Sequence, residues 1–327
     1  MGGPSKGRKE AFELVAMKTL ICSDGSSQAE STIRFGGLIA AACHAETTLL
    51  GITEKPSEED AIFDSLKRGL QLLKEAGIAA ELVIKAGDPI DEIVKRTRET
   101  NFDLVVIGAV RKGTRGPFLM SAKAYKIIKA VDPPVLVVTG NRESLKNMLI
   151  CSGGEKYIDK AVEFSGNIAR AAGARVTLFH VMNEPPPVFS DLTKMEEDVN
   201  LLLHSSSVLG QNLRQERELL ERMGVESEVR LRHGLVISEV LKEIRRVEYD
   251  LVVTGSSPTG GTLRTYIMGN MTREIVNRAD CPVLVVRSIE EPMGIGRSLK
   301  GFLSDLTRPF GHPREDDKAE ETGKKHE

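Results

Sequence analysis

Three stretches of this chain occur twice, in the same order, and that repetition constrains the fold more than any single motif. Leu20-Ile21-Cys22-Ser23-Asp24-Gly25 is echoed by Leu149-Ile150-Cys151-Ser152-Gly153-Gly154. Asp103-Leu104-Val105-Val106-Ile107-Gly108 returns as Asp250-Leu251-Val252-Val253-Thr254-Gly255. Asp132-Pro133-Pro134-Val135-Leu136-Val137-Val138 returns as Asp280-Cys281-Pro282-Val283-Leu284-Val285-Val286. Three anchors in one order identify a single domain, duplicated and fused. A length of 327 residues gives each copy enough chain to bury its own core. Each copy therefore serves as a reference for the chemistry of the other.

Within each copy, short runs of Val, Ile and Leu alternate with longer amphipathic segments. The runs fall near 17–22, 46–52, 80–84, 103–107 and 134–138, and again near 147–151, 175–181, 227–231, 250–254 and 282–286. They are almost continuously apolar, the pattern of strands covered on both faces. With helix-length segments between them, the order reads βαβαβαβαβ and the sheet is parallel. Residues 90–98 place Ile90, Ile93, Val94 and Thr97 on one helical face, and 237–247 repeats the spacing with Ile237, Val240, Leu241, Ile244 and Val247. Pro89 suits a first helical turn. The segment 191–223 is longer than its counterpart 57–75, so the second copy has grown there, behind the stiff run Pro185-Pro186-Pro187. Residues 140–144 read as the linker. The expected organisation is a disordered extension 1–16, a first domain 17–140, a second domain 145–288 and a charged, mostly disordered tail 289–327. In that tail Leu299, Phe302, Leu303 and Leu306 offer one docking helix.

Charge and composition exclude several functions. A net charge of −2 supplies no electropositive surface for nucleic acid or an anionic membrane. Aromatics at 4%, with no Trp, supply no platform for stacking bases. No apolar run approaches the length that crosses a bilayer. Residues 1–10 carry no apolar signal region, and Lys6 breaks the myristoylation pattern behind Met1-Gly2. A cytoplasmic protein is expected. The four cysteines form no CxxC pair, and Cys22 and Cys151 share a first-strand position, so buried reduced thiols are expected. The histidines lack metal-ligand spacing, and no metal site is expected. No paired-carboxylate, nucleophile-elbow or GxxxxGK[ST] pattern occurs, so no catalytic residues are assigned.

In an open parallel sheet, ligands collect at the carboxyl ends of the strands where the strand order reverses. That rule directs attention to the loop behind the fourth strand of each copy. In the second copy it spans 255–272 and carries Gly255, Ser256, Ser257, Gly260, Gly261 and Gly269. Its glycines expose backbone N–H groups suited to phosphate oxygens. Asn270 can cap the following helix and bring its positive end into the same space, and Thr272 adds a hydroxyl. In the first copy the loop holds Arg111, Lys112 and Arg115, which read as solvated charges.

Together, the duplicated Asp-Leu-Val-Val strand with its glycine, the Asp-x-Pro-Val-Leu-Val-Val closing strand, Ser23-Asp24-Gly25-Ser26 and Gly87-Asp88-Pro89 resemble the universal stress protein family. The resemblance covers 17–139 and 147–287. It implies an α/β fold of two tandem five-stranded parallel sheets in order 3-2-1-4-5, with pairing of the domains through their last strands inside one chain. It also implies a stress-linked regulatory role. One branch of that family binds ATP through Gly-x2-Gly-x9-Gly-Ser/Thr, with an Asp at the end of the first strand. In the second copy Gly255 and Gly269 match and Asn270 replaces the Ser/Thr. Pro258 stands at the second glycine with Gly260 close by, and Gly153 stands where the Asp belongs. In the first copy Asp24 and Gly108 match, but Arg111 and Ser121-Ala122 do not. The expectation is a stress-response module that binds an adenine nucleotide, ATP or AMP, in the second domain through Gly255, Ser256, Ser257, Gly260, Gly269, Asn270 and Thr272. Asp24 is the remaining contact in the first domain. The alternatives are an interaction scaffold with degenerate sites that binds no nucleotide, and a weak nucleotide hydrolase. The sequence leaves open whether two chains form a homodimer.

Overall fold

All ten Val/Ile/Leu runs become strands, and they join into one sheet. The computed structural model describes residues 17–26, 29–54, 59–109, 122–154, 159–182, 199–256 and 270–287. The N-terminal extension, the tail from 289 with its Leu299–Leu306 patch, and Pro185-Pro186-Pro187 lie outside the described residues. The first repeat runs β1 (Lys18–Ser23), α1 (Ala29–Ala42), β2 (Glu46–Thr53), α2 (Glu59–Glu75), β3 (Ala80–Ala86), α3 (Pro89–Glu99), β4 (Leu104–Gly108), α4 (Ala122–Ala130) and β5 (Val135–Val138). The second runs β6 (Asn147–Cys151), α5 (Asp159–Ala172), β7 (Arg175–Met182), α6 (Val199–His204), α7 (Val208–Arg222), β8 (Ser227–His233), α8 (Val236–Arg246), β9 (Leu251–Ser256), α9 (Asn270–Arg278) and β10 (Val283–Arg287).

The sheet order is β3-β2-β1-β4-β5-β10-β9-β6-β7-β8, which is 3-2-1-4-5 in each repeat, as the resemblance implied. Neighbours within a repeat are parallel. β5 and β10 pair antiparallel, with Val135 opposite Val285, Leu136 opposite Leu284 and Val137 opposite Val283. Leu136 and Leu284 hold the same place in their repeats, so the joint is isologous, like the interface of a two-fold dimer built into one chain. Side chains around it break that symmetry. Tyr125 of α4 and Arg273 of α9 are equivalent positions, and the guanidinium stands 5.6 Å from the ring centroid. Thr139 donates to the Cys281 carbonyl at 2.5 Å, and Arg287 donates to the Ile128 carbonyl and lies 3.7 Å from Asp132.

Two apolar layers hold the sheet. On one face α1, α2, α5 and α7 cover it with Ile33, Leu66, Val162 and Leu220. On the other, α3, α4, α8 and α9 contribute Ile93, Ile128, Ile244 and Ile275. Both layers pass through the joint, Leu136 and Leu284 in the first and Val137 and Val283 in the second. Each such buried aliphatic side chain contributes about 1.5–3 kcal/mol of transfer free energy.

The Asp that opens each Asp-Leu-Val-Val run has a structural task. Asp103 accepts from the Lys18 N–H at 2.8 Å, and Asp250 accepts from the Lys146 and Asn147 N–H groups at 2.7 and 3.0 Å. Each carboxylate ties the start of its repeat's first strand to the fourth. Helix entry differs between the copies. Asp88 caps α3 by accepting from the Ile90 and Asp91 N–H groups at 2.8 and 3.2 Å, with Pro89 in the first helical position. Leu235 holds that place before α8, makes no side-chain cap bond and is 80% exposed.

Candidate functional site

In the first repeat the strand order reverses between β1 and β4, and a cavity of about 480 Å³ lies there. β1 and the turn behind it deliver Cys22, Ser23, Asp24 and Ser26. β4 delivers Ile107 and Gly108, and Glu54 follows β2. Pro89 and Ile93 come from α3, and Lys123, Ala124 and Ile127 from α4.

Local sequence explains this arrangement. Gly25 has φ +74°, and a Cβ there would come within 2.7 Å of Ile62, so the turn behind β1 requires glycine. The Gly25 N–H donates to Ser23 Oγ at 3.2 Å, and the Ser26 N–H donates to Asp24 Oδ1 at 3.0 Å. That turn fixes Asp24 at the edge of the cavity. A Cβ on Gly108 would meet Thr32 Oγ1 at 2.7 Å, so glycine lets the end of β4 lie against the start of α1.

The cavity has an apolar side, Ile52, Ile62, Ile93, Ile107 and Ile127, and a polar edge of Ser23, Asp24, Ser26, Glu54 and Lys123. Lys123 and Glu54 form an ion pair, each about half exposed. Cys22 also lines the space, but burial pushes its thiol up to about 12 and keeps it protonated at neutral pH. The arrangement suits binding a molecule with one flat apolar part and one hydroxylated or charged part. The other thiols are free as well: burial pushes Cys43 up to about 11 and Cys151 and Cys281 up to about 12.

The second repeat uses its corresponding positions differently. Thr254 and Thr272 replace Ile107 and Ala124. Their hydroxyls lie 3.2 Å apart, and Thr272 donates to the Gly255 carbonyl at 3.3 Å. Thr272, expected to add a hydroxyl to the site, is 2% exposed and has that hydroxyl engaged within the protein. Gly255 and Ser256 end β9, and Asn270 begins α9. Ser257, Gly260 and Gly269 lie outside the described residues, as do Arg111, Lys112, Arg115 and Ser121 of the first repeat.

Behind β6 a buried polar set has replaced small residues. Ser152 donates to Glu216 Oε1 at 3.0 Å, Asn212 donates to the Gly154 carbonyl at 2.7 Å, and His180 Nδ1 lies 2.9 Å from the Ser152 carbonyl. Only a protonated Nδ1 can donate to that carbonyl, which assigns the tautomer. Burial lowers the His180 pKa, and the bond to Ser152 opposes the shift. In the first repeat the positions of His180, Glu216 and Asn212 are held by Gly51, Gly69 and Ser65. The set ties β6 to α7, which belongs to the segment that grew.

The structure brings Asp24 to the first switch point together with Lys123, Glu54 and the isoleucine wall, which sequence reasoning did not single out. A signal was present: Lys123 stands in the first turn of α4, where a cation opposes the helix dipole. Among the described residues no group of three His, Cys, Asp or Glu side chains is placed to hold a metal ion, and no helix is long and apolar enough to cross a membrane.

Comparison with known proteins agrees with this fold. The sequence model of the universal stress protein family matches residues 17–139 and 144–287. A universal stress protein of Methanocaldococcus jannaschii is 24% identical over 171 residues, covering 52% of this chain and 95% of that one. One of Bacillus subtilis is 25% identical over 145 residues, covering 43% and 97%. Among solved structures, a universal stress protein from Archaeoglobus fulgidus aligns with a TM-score of 0.58 at 19% identity, over 83% of this chain and 98% of that one. A functionally unknown Pseudomonas aeruginosa protein aligns with a TM-score of 0.60 at 15% identity, over 89% and 98%. With both repeats matched, and with the strand order and the duplicated anchors in place, the chain belongs to the universal stress protein family.

Proposed function

We propose that the protein is a ligand-sensing regulatory module whose ligand, an adenine nucleotide or its nucleoside, is held in the first repeat. The observation that carries this reading is the cavity of about 480 Å³ between β1 and β4, with Asp24 at its edge and isoleucines along its side. Small-molecule sites have volumes of this order and a mostly apolar lining with a few convergent polar groups. Isoleucine side chains offer a purine a dry face, and a carboxylate accepts from ribose hydroxyls or an exocyclic amine. Within the described residues, the second repeat has turned its own hydroxyls inward at Thr254 and Thr272, which supports a role as the paired scaffold of the first. Its glycine-rich loop favours a second location, at Gly255, Ser256 and Asn270, and the response to an Asp24 substitution separates the two.

Isothermal titration with adenosine, AMP and ATP tests the reading. One site per chain is expected, weakened about tenfold or more when Asp24→Ala removes a charged hydrogen-bond acceptor. Absence of heat with all three at millimolar concentration, or full affinity in Asp24→Ala, overturns it.

A further inference from the structure

Lys123 is badly placed for the helix that carries it. It stands in the first turn of α4, which contains no acidic residue, so its charge adds to the positive end of the macrodipole. The equivalent position in the second repeat is Met271, which shows that the fold does not require a cation there. A side chain that works against its own helix, beside a cavity, is where a function is expected to have displaced a stability preference.

The surroundings say what that function is. Lys123 pairs with Glu54, which reaches the cavity from the end of β2, so the ion pair joins two separate elements at the cavity edge. The two side chains are 53% and 51% exposed, and an ion pair this wet contributes little net stability. Exchanging one partner for another is therefore cheap. Among the described lining residues Lys123 is the cation, set against the carboxylates of Asp24 and Glu54. A phosphate arriving with Lys123 still bound to Glu54 meets two like charges and a neutralised lysine. With the pair opened it meets a free ammonium and the positive start of α4.

We propose that Lys123 and Glu54 form an anion-operated latch, in which a phosphate-bearing ligand takes Lys123 from Glu54 and so distinguishes the phosphorylated from the unphosphorylated form. The inference rests on the first repeat being the ligand site. It assigns specificity to residues outside the family's glycine pattern, one in an α4 turn and one behind β2. Opening the pair releases Glu54 on the β2 side and pins α4 on the other. Through Tyr125 and Ile128, α4 touches Arg273 and Arg287 of the second repeat. The phosphorylated state is thereby communicated to the joint.

The test compares adenosine with AMP by calorimetry on the full chain, in wild type, Lys123→Met and Glu54→Gln. Lys123→Met installs the second repeat's own residue. It is expected to weaken AMP about tenfold while leaving adenosine within about twofold, the loss of one charge-assisted bond. Glu54→Gln, which frees the lysine and removes a repelling carboxylate, is expected to tighten AMP about threefold and leave adenosine unchanged. Retained adenosine affinity reports that each variant is folded. If adenosine binds but AMP is indifferent to both substitutions, or both ligands shift together, the latch is overturned and the ligand site stands. If neither ligand binds wild type, the site reading fails and the latch falls with it.

Discussion

The two repeats share a backbone and disagree in chemistry. Both keep the apolar strands, the Asp clamp at Asp103 and Asp250, and the glycine turns behind β1 and β6, where Gly25 and Gly154 have φ +74° and +72°. Where polar side chains meet the sheet they part. In the first repeat Arg96 contacts the exposed Glu81 at 3.1 Å and lies over Phe102. In the second the sign is reversed. Glu243, 2% exposed, takes the place of Arg96 and accepts from Arg230, from Arg246 at 3.0 Å and from Tyr249 at 3.1 Å. Backbone requirements are common to both copies because they define the fold. Polar interiors are free to diverge: the first copy has a cavity between β1 and β4, while among the described residues of the second Thr254 and Thr272 bond to one another and to the Gly255 carbonyl.

The largest expected effect tests that polar divergence directly. Removing Arg230 takes one of two guanidinium partners from a buried carboxylate and leaves Arg246 and Tyr249 in place, so Arg230→Met is expected to cost about 2 kcal/mol in denaturant unfolding. Arg96→Met, whose partner Glu81 is 62% exposed, is expected to cost less than about 1 kcal/mol. Equal costs would mean the two clusters are not different in kind.

Acid sharpens the same contrast. Burial alone would raise the Glu243 carboxyl, but hydrogen bonds from Arg246 and Arg230, the Arg230 charge and the Tyr249 hydroxyl outweigh it and hold it below the usual value of 4.5. A carboxyl lowered on folding contributes stability that is complete above 4.5 and is lost as pH falls through its folded value. Glu243→Gln is expected to lower stability at neutral pH and flatten its decline below pH 4.5, read from urea midpoints across pH. A slope unchanged from wild type would remove Glu243 as the acid-sensitive group.

Smaller effects follow from the helix entries and turns. Exchanging the caps, Leu235→Asp is expected to stabilise by about 1 kcal/mol and Asp88→Leu to destabilise by a similar amount. His44 holds φ +50° where the second repeat has Gly173 at φ +64°. His44→Gly is expected to raise stability by about 0.5–1 kcal/mol, since the left-handed region costs a side chain more than the added chain entropy of glycine. A loss of stability in either the Leu235→Asp or the His44→Gly variant would show that local backbone preference does not separate the copies at that site.

Much of the scaffold was legible in the sequence because it is written locally. Every apolar run became a strand, and the periodicity in 237–247 found α8 one residue late. The strand order came through the family resemblance, since no periodicity encodes which strands are neighbours. The site was harder to read. The glycines of 255–272 pointed to the second repeat, and the Thr272 hydroxyl was expected at the site because nothing in the sequence shows α9 packing its first turn onto β9. The side-chain pairings that separate the copies, such as Ser152 with Glu216, 64 residues apart, and Gly51 against Leu66, form only when the helices pack onto the sheet. Lys123 and Glu54 are 69 residues apart and become one feature only when β2 and α4 meet.

The most direct measurement is a crystal structure of the chain grown with AMP. The expected result is ligand density between β1 and β4, against Asp24 and Ile107, with Lys123 turned from Glu54 toward the phosphate. Density confined to the end of β9 and the start of α9, against Gly255 and Asn270, would contradict the assignment of the ligand to the first repeat.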